Sequence, residues 1–270
     1  MLGRLALLAW VGLIAGPDTA SAAAAVPEPE PCAALTAPCW DPEPTTEPWQ
    51  WQLQGKIDLT VPAAVYDIDI DERASVVEAI HAQGDRAICY VSVGTYEPFR
   101  DDAKEFPRSL LGKRLDRFEE ERWLDIRRPA KLRPIMEARL DECAAKGFDA
   151  VEPDNVDAYQ NRSGFRLDGA DQLAYNAWVA NTVHERGMAV GLKNDLGQAK
   201  RLLPYFDFAV NEQCFQYREC GVLERFIADG KPVFGAEYEV KTSRFCKASV
   251  ESGFSTIFKR YSLKAFRETC

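Results

Sequence analysis

Three observations predict a (β/α)8 barrel. Eight short apolar runs recur along the chain: WQWQL (49–53), AVYDID (64–69), AICYVSV (87–93), DAVEPD (149–154), MAVGLKND (188–195), FAVNEQ (208–213), PVFGAEY (232–238) and STIFKR (255–260). Stretches with helical periodicity or loop composition separate them, the pattern of βαβ units and a parallel sheet. A closed barrel carries its active site at the C-terminal ends of its strands, and those ends hold Asp67, Asp69, Asp154, Lys193, Asp195, Glu212 and Glu237. A chain of 270 residues, 46% apolar and 28% charged, suits one soluble domain of the larger sort.

Met1–Arg4 carries a positive charge, Leu5–Ala15 is an apolar run too short to span a bilayer, and Ala20, Ser21 and Ala22 supply small residues. Together they predict a secretory signal peptide over residues 1–25, cleaved between about residue 22 and residue 25, with no stable membrane insertion. Residues 26–48 are rich in proline and acid, which makes an extended linker and not a packed element. The barrel is therefore expected over 49–270 as a single domain.

Helices are expected over Asp71–Gln83, Arg133–Lys146, Asp171–Arg186 and Gly221–Asp229, because each pattern stops at a glycine, the common C-terminal signal. The connection 94–132 is long and reads as a loop over the barrel mouth. Its aromatics Tyr96, Phe99 and Phe106 either stack on a ligand or pin the loop down.

Eight cysteines in a secreted chain favour disulfides. Cys32 with Cys39, Cys214 with Cys220 and Cys246 with Cys270 are near neighbours along the chain, which leaves Cys89 and Cys143. Cys89 alternates with the outward parity of its strand, and Cys143 lies near the end of the next long helix, so a strand-to-helix bridge is geometrically reasonable. Two histidines and no paired C-x-x-C argue against zinc, so neither metal nor cofactor is expected. The formal charge of −9 disfavours a nucleic-acid partner and is compatible with a cationic ligand.

Side chains on a strand alternate between faces. If the apolar set of each strand packs on the helices, then Tyr66 and Ile68, Val151 and Pro153, Val190 and Leu192, and Phe234 and Ala236 face outward. Asp67 and Asp69, Glu152 and Asp154, Lys193, and Glu237 then face inward. Glu212 shares the parity of Phe208 and Val210 but falls at its strand's end, where it reaches the mouth. Glu152 and Lys193 are expected to pair as structural support, since an isolated buried charge is costly.

Two carboxyl groups flanking a bond are what glycoside hydrolysis needs. Asp154 and Glu212 are the candidates: each ends a strand and each adjoins an asparagine, Asn155 and Asn211. A Ser-His-Asp hydrolase is disfavoured, because no G-x-S-x-G occurs and neither His81 nor His184 ends a strand. A dinucleotide or phosphate site lacks its glycine fingerprint.

The segments GFDAVEPDNVDAY (147–159), GLKND (191–195), NEQC (211–214), YDID (66–69) and CYVSVGTYE (89–97) resemble glycoside hydrolase family 114 from about Trp49 to about Phe258. The resemblance implies an endo-acting, retaining hydrolase of α-1,4-linked galactosamine and N-acetylgalactosamine polymers, with Asp154 as nucleophile and Glu212 as acid/base. The partner is then an extracellular polysaccharide made cationic by its free amines. An acidic mouth of Asp67, Asp69, Asp157 and Glu237 is expected to attract it, with Tyr96, Asn155, Lys193, Asn194 and Tyr238 as further substrate contacts. A non-catalytic barrel that binds such polymers, and an exo-acting α-galactosidase-like enzyme, are the alternatives.

Overall fold

The computed structural model describes residues 25–33, 35 and 38–270, so most of the expected signal peptide lies outside the described residues. The strands are β1 (Gln50–Gln52), β2 (Val65–Asp69), β3 (Arg86–Ser92), β4 (Thr95–Tyr96), β5 (Leu111–Arg114), β6 (Arg122–Leu124), β7 (Ala150–Asp154), β8 (Ala189–Lys193), β9 (Phe208–Glu212), β10 (Val233–Glu237), β11 (Ser255–Phe258) and β12 (Glu268–Thr269). The helices are α1 (Ala74–His81), α2 (Pro129–Ala145), α3 (Gly169–His184), α4 (Ala199–Leu202), α5 (Cys214–Tyr217), α6 (Glu224–Ala228) and α7 (Thr242–Glu251). One sheet runs β1-β2-β3-β7-β8-β9-β10-β11-β12, parallel up to β11, with β12 antiparallel at the end.

The sheet curls into a (β/α)8-type barrel. Its two ends meet through side-chain bonds: Lys259 Nζ to Gln50 Oε1 at 3.2 Å, and Ser255 Oγ to the Glu47 carbonyl at 2.5 Å. Among the described residues no helix follows β1, and β12 stands where a last helix would follow β11. The predicted helix ends hold: Gly147 and Gly187 sit past α2 and α3 at φ 85° and 73°, which glycine adopts without steric cost. α2 begins at Pro129, four residues before the start read from periodicity, because proline fits the first helical turn. α3 begins with a capping box between Asp168 and Asp171.

Two cores divide the molecule. Outside the barrel, Tyr66, Ile68, Cys89, Val91, Val151, Val190 and Leu192 pack against the helices. Inside it, Trp49, Trp51, Phe208, Val210, Phe234 and Ala236 form a second apolar cluster. The rings of Phe208 and Phe234 meet edge to face at 5.8 Å, and each such ring contributes roughly 1.5–3 kcal/mol by leaving water. Gly191 on β8 has no side chain because the Phe208 ring occupies that space.

This inner cluster corrects the parity expected for β9 and β10. Phe208, Val210, Phe234 and Ala236 point in, because a barrel interior is itself a packed core that takes apolar residues. Glu212 is therefore inward by parity as well as by position. Glu237 takes the opposite face, where its Oε1 accepts from the Phe215 backbone N–H of α5 at 2.8 Å.

The connection 94–132 is more ordered than a loop. It folds into a three-stranded antiparallel sheet, β4-β6-β5, whose β5–β6 hairpin overhangs the mouth. Arg100 and Arg139 hold its base: Arg139 pairs with Asp102 at 2.7 Å and Glu97 at 3.3 Å, and Arg100 with Glu97 at 3.1 Å. The described residues of 26–48 form no helix or strand, yet the first part of the segment is tied to the barrel wall. Asn181 Nδ2 of α3 donates to the Glu28 carbonyl at 2.7 Å, and Ala33 N–H donates to the His184 carbonyl at 2.8 Å.

The disulfides are Cys32–Cys39, Cys89–Cys143, Cys214–Cys220 and Cys246–Cys270, the pairing that spacing suggested. Among the described residues no helix is long and apolar enough to cross a membrane.

Candidate active site

Three adjacent strands leave the barrel in the same way. Asn155 after β7, Asn194 after β8 and Gln213 after β9 are left-handed, at φ 62°, 50° and 65°. The chain turns outward there, and the last strand side chain stays over the mouth. Asparagine tolerates this conformation; glutamine does so at a cost. Gln213 is held by its N–H donating to the Ala236 carbonyl at 2.8 Å. Gly94 lies against the Asn155 carbonyl so closely that a Cβ would collide with it.

The side chains delivered are Asp154, Lys193 and Glu212. Lys193 Nζ lies 3.2 Å from Asp154 Oδ1 and 3.6 Å from Glu212 Oε2, which places these two oxygens at most about 7 Å apart. Asp154 accepts from the Tyr90 hydroxyl at 2.7 Å and from the Asn155 N–H at 2.8 Å. Glu212 accepts from the Tyr238 hydroxyl at 2.5 Å and from Asn194 Nδ2 at 3.2 Å. Burial, reinforced by Asp154 and by Glu212 respectively, pushes the Tyr90 and Tyr238 phenols up, so both remain donors.

Beneath them Lys193 Nζ donates to Glu152 Oε1 at 2.6 Å. Burial would lower the lysine, but Asp154, Glu152 and Glu212 outweigh it and hold it charged. Glu152 and Asp67 are fully buried side by side, and burial, then Glu152, pushes Asp67 well above the usual carboxylate range. Both Asp67 oxygens and Glu152 Oε2 lack any other partner, so one proton shared between the two carboxyls joins Glu152 Oε2 to one Asp67 oxygen.

The structure gathers Asp154, Asn155, Asp157, Lys193, Asn194 and Glu212 around a cleft of about 340 Å³. Tyr238 supports it from behind Glu212. Four expected contacts fall elsewhere. Asp67 is buried in the floor, and burial pushes its carboxyl well above the usual carboxylate range. Asp69 is clamped by Arg100, with Nη2 to Oδ2 at 2.8 Å, because that arginine needs a counter-charge where the 94–106 segment folds back. Tyr96 packs edge-on to Phe106 at 5.6 Å and pins its segment. Glu237 faces α5. Asp195 also turns from the cleft, accepting from Tyr159 at 3.1 Å and Asn176 at 3.1 Å, and burial raises it to about 7. The acidic mouth thus contracts to Asp154, Asp157, Glu212 and the hairpin's Asp116. Among the described residues no cluster of three or more His, Cys, Asp or Glu is arranged to hold a metal ion.

Two carboxylates on the ends of β7 and β9, bridged by a lysine on β8 between them, form a glycosidase-like centre. The sequence model of glycoside-hydrolase family GH114 matches residues 29–270. The chain belongs to this family. Its fold superimposes on Ega3 of Aspergillus fumigatus, solved in complex with galactosamine, with TM-score 0.81 and 36% identity, covering 88% of this chain and 100% of that one. It also matches the glycoside hydrolase domain of PelA from Pseudomonas aeruginosa, with TM-score 0.64 and 14% identity over 82% and 98% of the two chains. An α-galactosidase of Thermus thermophilus shares the fold at TM-score 0.54 and 12% identity, over 82% and 59%. Comparison with curated protein sequences gives no match.

Several residues of this GH114 site escaped sequence reasoning. Tyr90 could have been found, because it alternates with Cys89 and so faces inward on β3. Trp51 lies under the lysine, with Nζ 4.7 Å from its ring; sending the apolar residues of β1 outward would have put it on the wrong face. Arg114, Arg117 and Trp123 reach the cleft from the hairpin, and Arg162 from the loop after β7. No local pattern signals these, since their placement depends on how the hairpin folds back.

Proposed function

We propose that this GH114 chain is a secreted, endo-acting, retaining hydrolase of α-1,4-linked galactosamine and N-acetylgalactosamine exopolysaccharide. The observation that carries the reading is the pair Asp154 and Glu212 facing one cleft across Lys193. The bound galactosamine of Ega3, 36% identical, supports the sugar. Four disulfides fit an oxidising compartment, and an extracellular polymer needs an extracellular enzyme.

In the first step Asp154 attacks the anomeric carbon and the glycosidic oxygen leaves with the Glu212 proton. In the second, Glu212 takes a proton from water, whose oxygen displaces Asp154 and regenerates both groups. The separation of these two oxygens, at most about 7 Å, is compatible with the retaining spacing of about 5–5.5 Å. Tyr90 and Asn155 orient the nucleophile, and Tyr238 and Asn194 orient the acid.

The test is product size after incubation with partly deacetylated galactosamine polymers. A ladder of oligomers, absent for Asp154→Asn, is expected. Monomer alone would indicate exo action. No release from any galactosamine polymer by the parent protein would refute the reading.

A further inference from the structure

Glu121 immediately precedes β6 in the hairpin that overhangs the mouth, and a chain of hydrogen bonds runs from it to the turn that carries Asp154. Thr95 Oγ1 donates to Glu121 Oε2 at 2.9 Å, Ser92 Oγ lies 2.6 Å from Thr95 Oγ1, and Asn155 Nδ2 donates to Ser92 Oγ at 3.0 Å. Ser92 and Thr95 are fully buried, so no solvent replaces these bonds. Valence fixes the direction of the chain. Ser92 Oγ accepts from Asn155 Nδ2 and from the Thr95 N–H at 3.2 Å, which fills both its lone pairs. Its own hydrogen goes to Thr95 Oγ1, and the Thr95 hydrogen goes on to Glu121. An ionised carboxylate, which only accepts, is the group in which such a run ends. At the other end Asn155 is held at φ 62°; its N–H donates to Asp154 Oδ1 at 2.8 Å and its Nδ2 to Asp154 Oδ2 at 3.3 Å.

Resting on the glycosidase reading above, we propose that Glu121 is a positioning residue: acting through Thr95, Ser92 and Asn155, its carboxylate holds the turn that presents the nucleophile Asp154. The hairpin that carries Glu121 also brings Phe118 and Trp123 to the cleft, so the wall of the cleft and the nucleophile are set by one connected unit. Burial, then Glu97, pushes the Glu121 carboxyl up to about 7; Asp154 adds to this, while the Thr95 hydrogen bond and Arg100 oppose it. A proton on Glu121 replaces a charged acceptor with a neutral one, which binds about half as strongly, or sets a second donor against the Thr95 hydroxyl. Ser92 cannot reverse its own bond to compensate, because both its lone pairs are taken. The chain then slackens, and Asn155 is freed to leave a left-handed turn that is kept only while its surroundings enforce it.

Kinetics on an activated aryl α-galactosaminide, whose leaving group needs no proton, isolate the nucleophilic step. The parent's kcat is expected to fall as pH drops through about 7, where Glu121 takes up its proton. Glu121→Gln does not titrate and should lose that limb, whichever way its amide sits. Thr95→Val keeps the outline of the side chain but cuts the chain. It should lower kcat about three- to tenfold above neutral pH, with KM within about twofold and the limb gone. Thr95→Ser returns the hydroxyl and should return both the rate and the limb. An unchanged limb in Glu121→Gln, or a Thr95→Ser variant as slow as Thr95→Val, would overturn the proposal. The side-chain amide signals of Asn155, followed by NMR, read the same chain without turnover. They should shift with pH about a midpoint near 7 in the parent and stay still in Glu121→Gln. That shift in a protein that turns over no galactosaminide would sustain this inference and refute the glycosidase reading; turnover without the shift would refute this inference alone.

Discussion

Glu237 shows what a strand-end acid does when it faces the helices instead of the mouth. It is buried and accepts from the Phe215 N–H at 2.8 Å, and burial raises it to about 7. Its folded pKa lies above the unfolded value of about 4.3, so the carboxyl costs nothing below that value. The stability it allows at low pH is lost as pH rises through about 7. Glu237→Gln should therefore raise Tm more at pH 8 than at pH 5, with activity retained. A shift independent of pH in thermal scans would contradict this. Lys193 behaves in the opposite way, being surrounded by three carboxylates. Lys193→Met should destabilise by about 3–5 kcal/mol, since it strands buried acids without a cation. Adding Glu152→Gln should recover part of that loss in denaturant titrations. Tyr238→Phe removes one hydrogen bond to Glu212 and should lower kcat by roughly ten- to a hundredfold with little change in fold.

At the scale of elements, all eight barrel strands were legible because short apolar runs between helical patterns are hard to build otherwise. Their faces were legible only in part. β2, β7 and β8 carry polar groups on the inner face, so alternation assigned Asp67, Asp154 and Lys193 correctly. β9 and β10 are apolar toward the interior, and the assumption that apolar means outward failed there for Phe208, Val210, Phe234 and Ala236. The β5–β6 hairpin was illegible, because its role rests on long-range contact with Ser163 and not on its own pattern. Cys89–Cys143 ties β3 to α2 and closes the longest disulfide loop, a separation of 54 residues. Cys89→Ser with Cys143→Ser should cost about 4 kcal/mol in the chain-entropy model, checked by denaturant unfolding. Gly94→Ala should displace the Asp154–Asn155 turn and cut activity far more than stability, because the new Cβ presses on the turn that carries the carboxylate.

In the molecule as a whole, the candidate site lies at the C-terminal end of the barrel. An aromatic plug fills the interior, a proton-sharing carboxyl pair and Lys193 form the floor, and Asp154 and Glu212 stand above it. On the proposed mechanism these two have distinct roles in a retaining reaction. The direct test is the anomer of glycosyl azide formed from an activated aryl α-galactosaminide oligomer, read by NMR for Glu212→Ala and Asp154→Ala. If Asp154 is the nucleophile, azide attacks the β-linked intermediate in Glu212→Ala and gives the α-azide. In Asp154→Ala azide takes the place of the missing carboxylate and gives the β-azide. The opposite pair of anomers, or β-azide from both variants, would contradict the assignment.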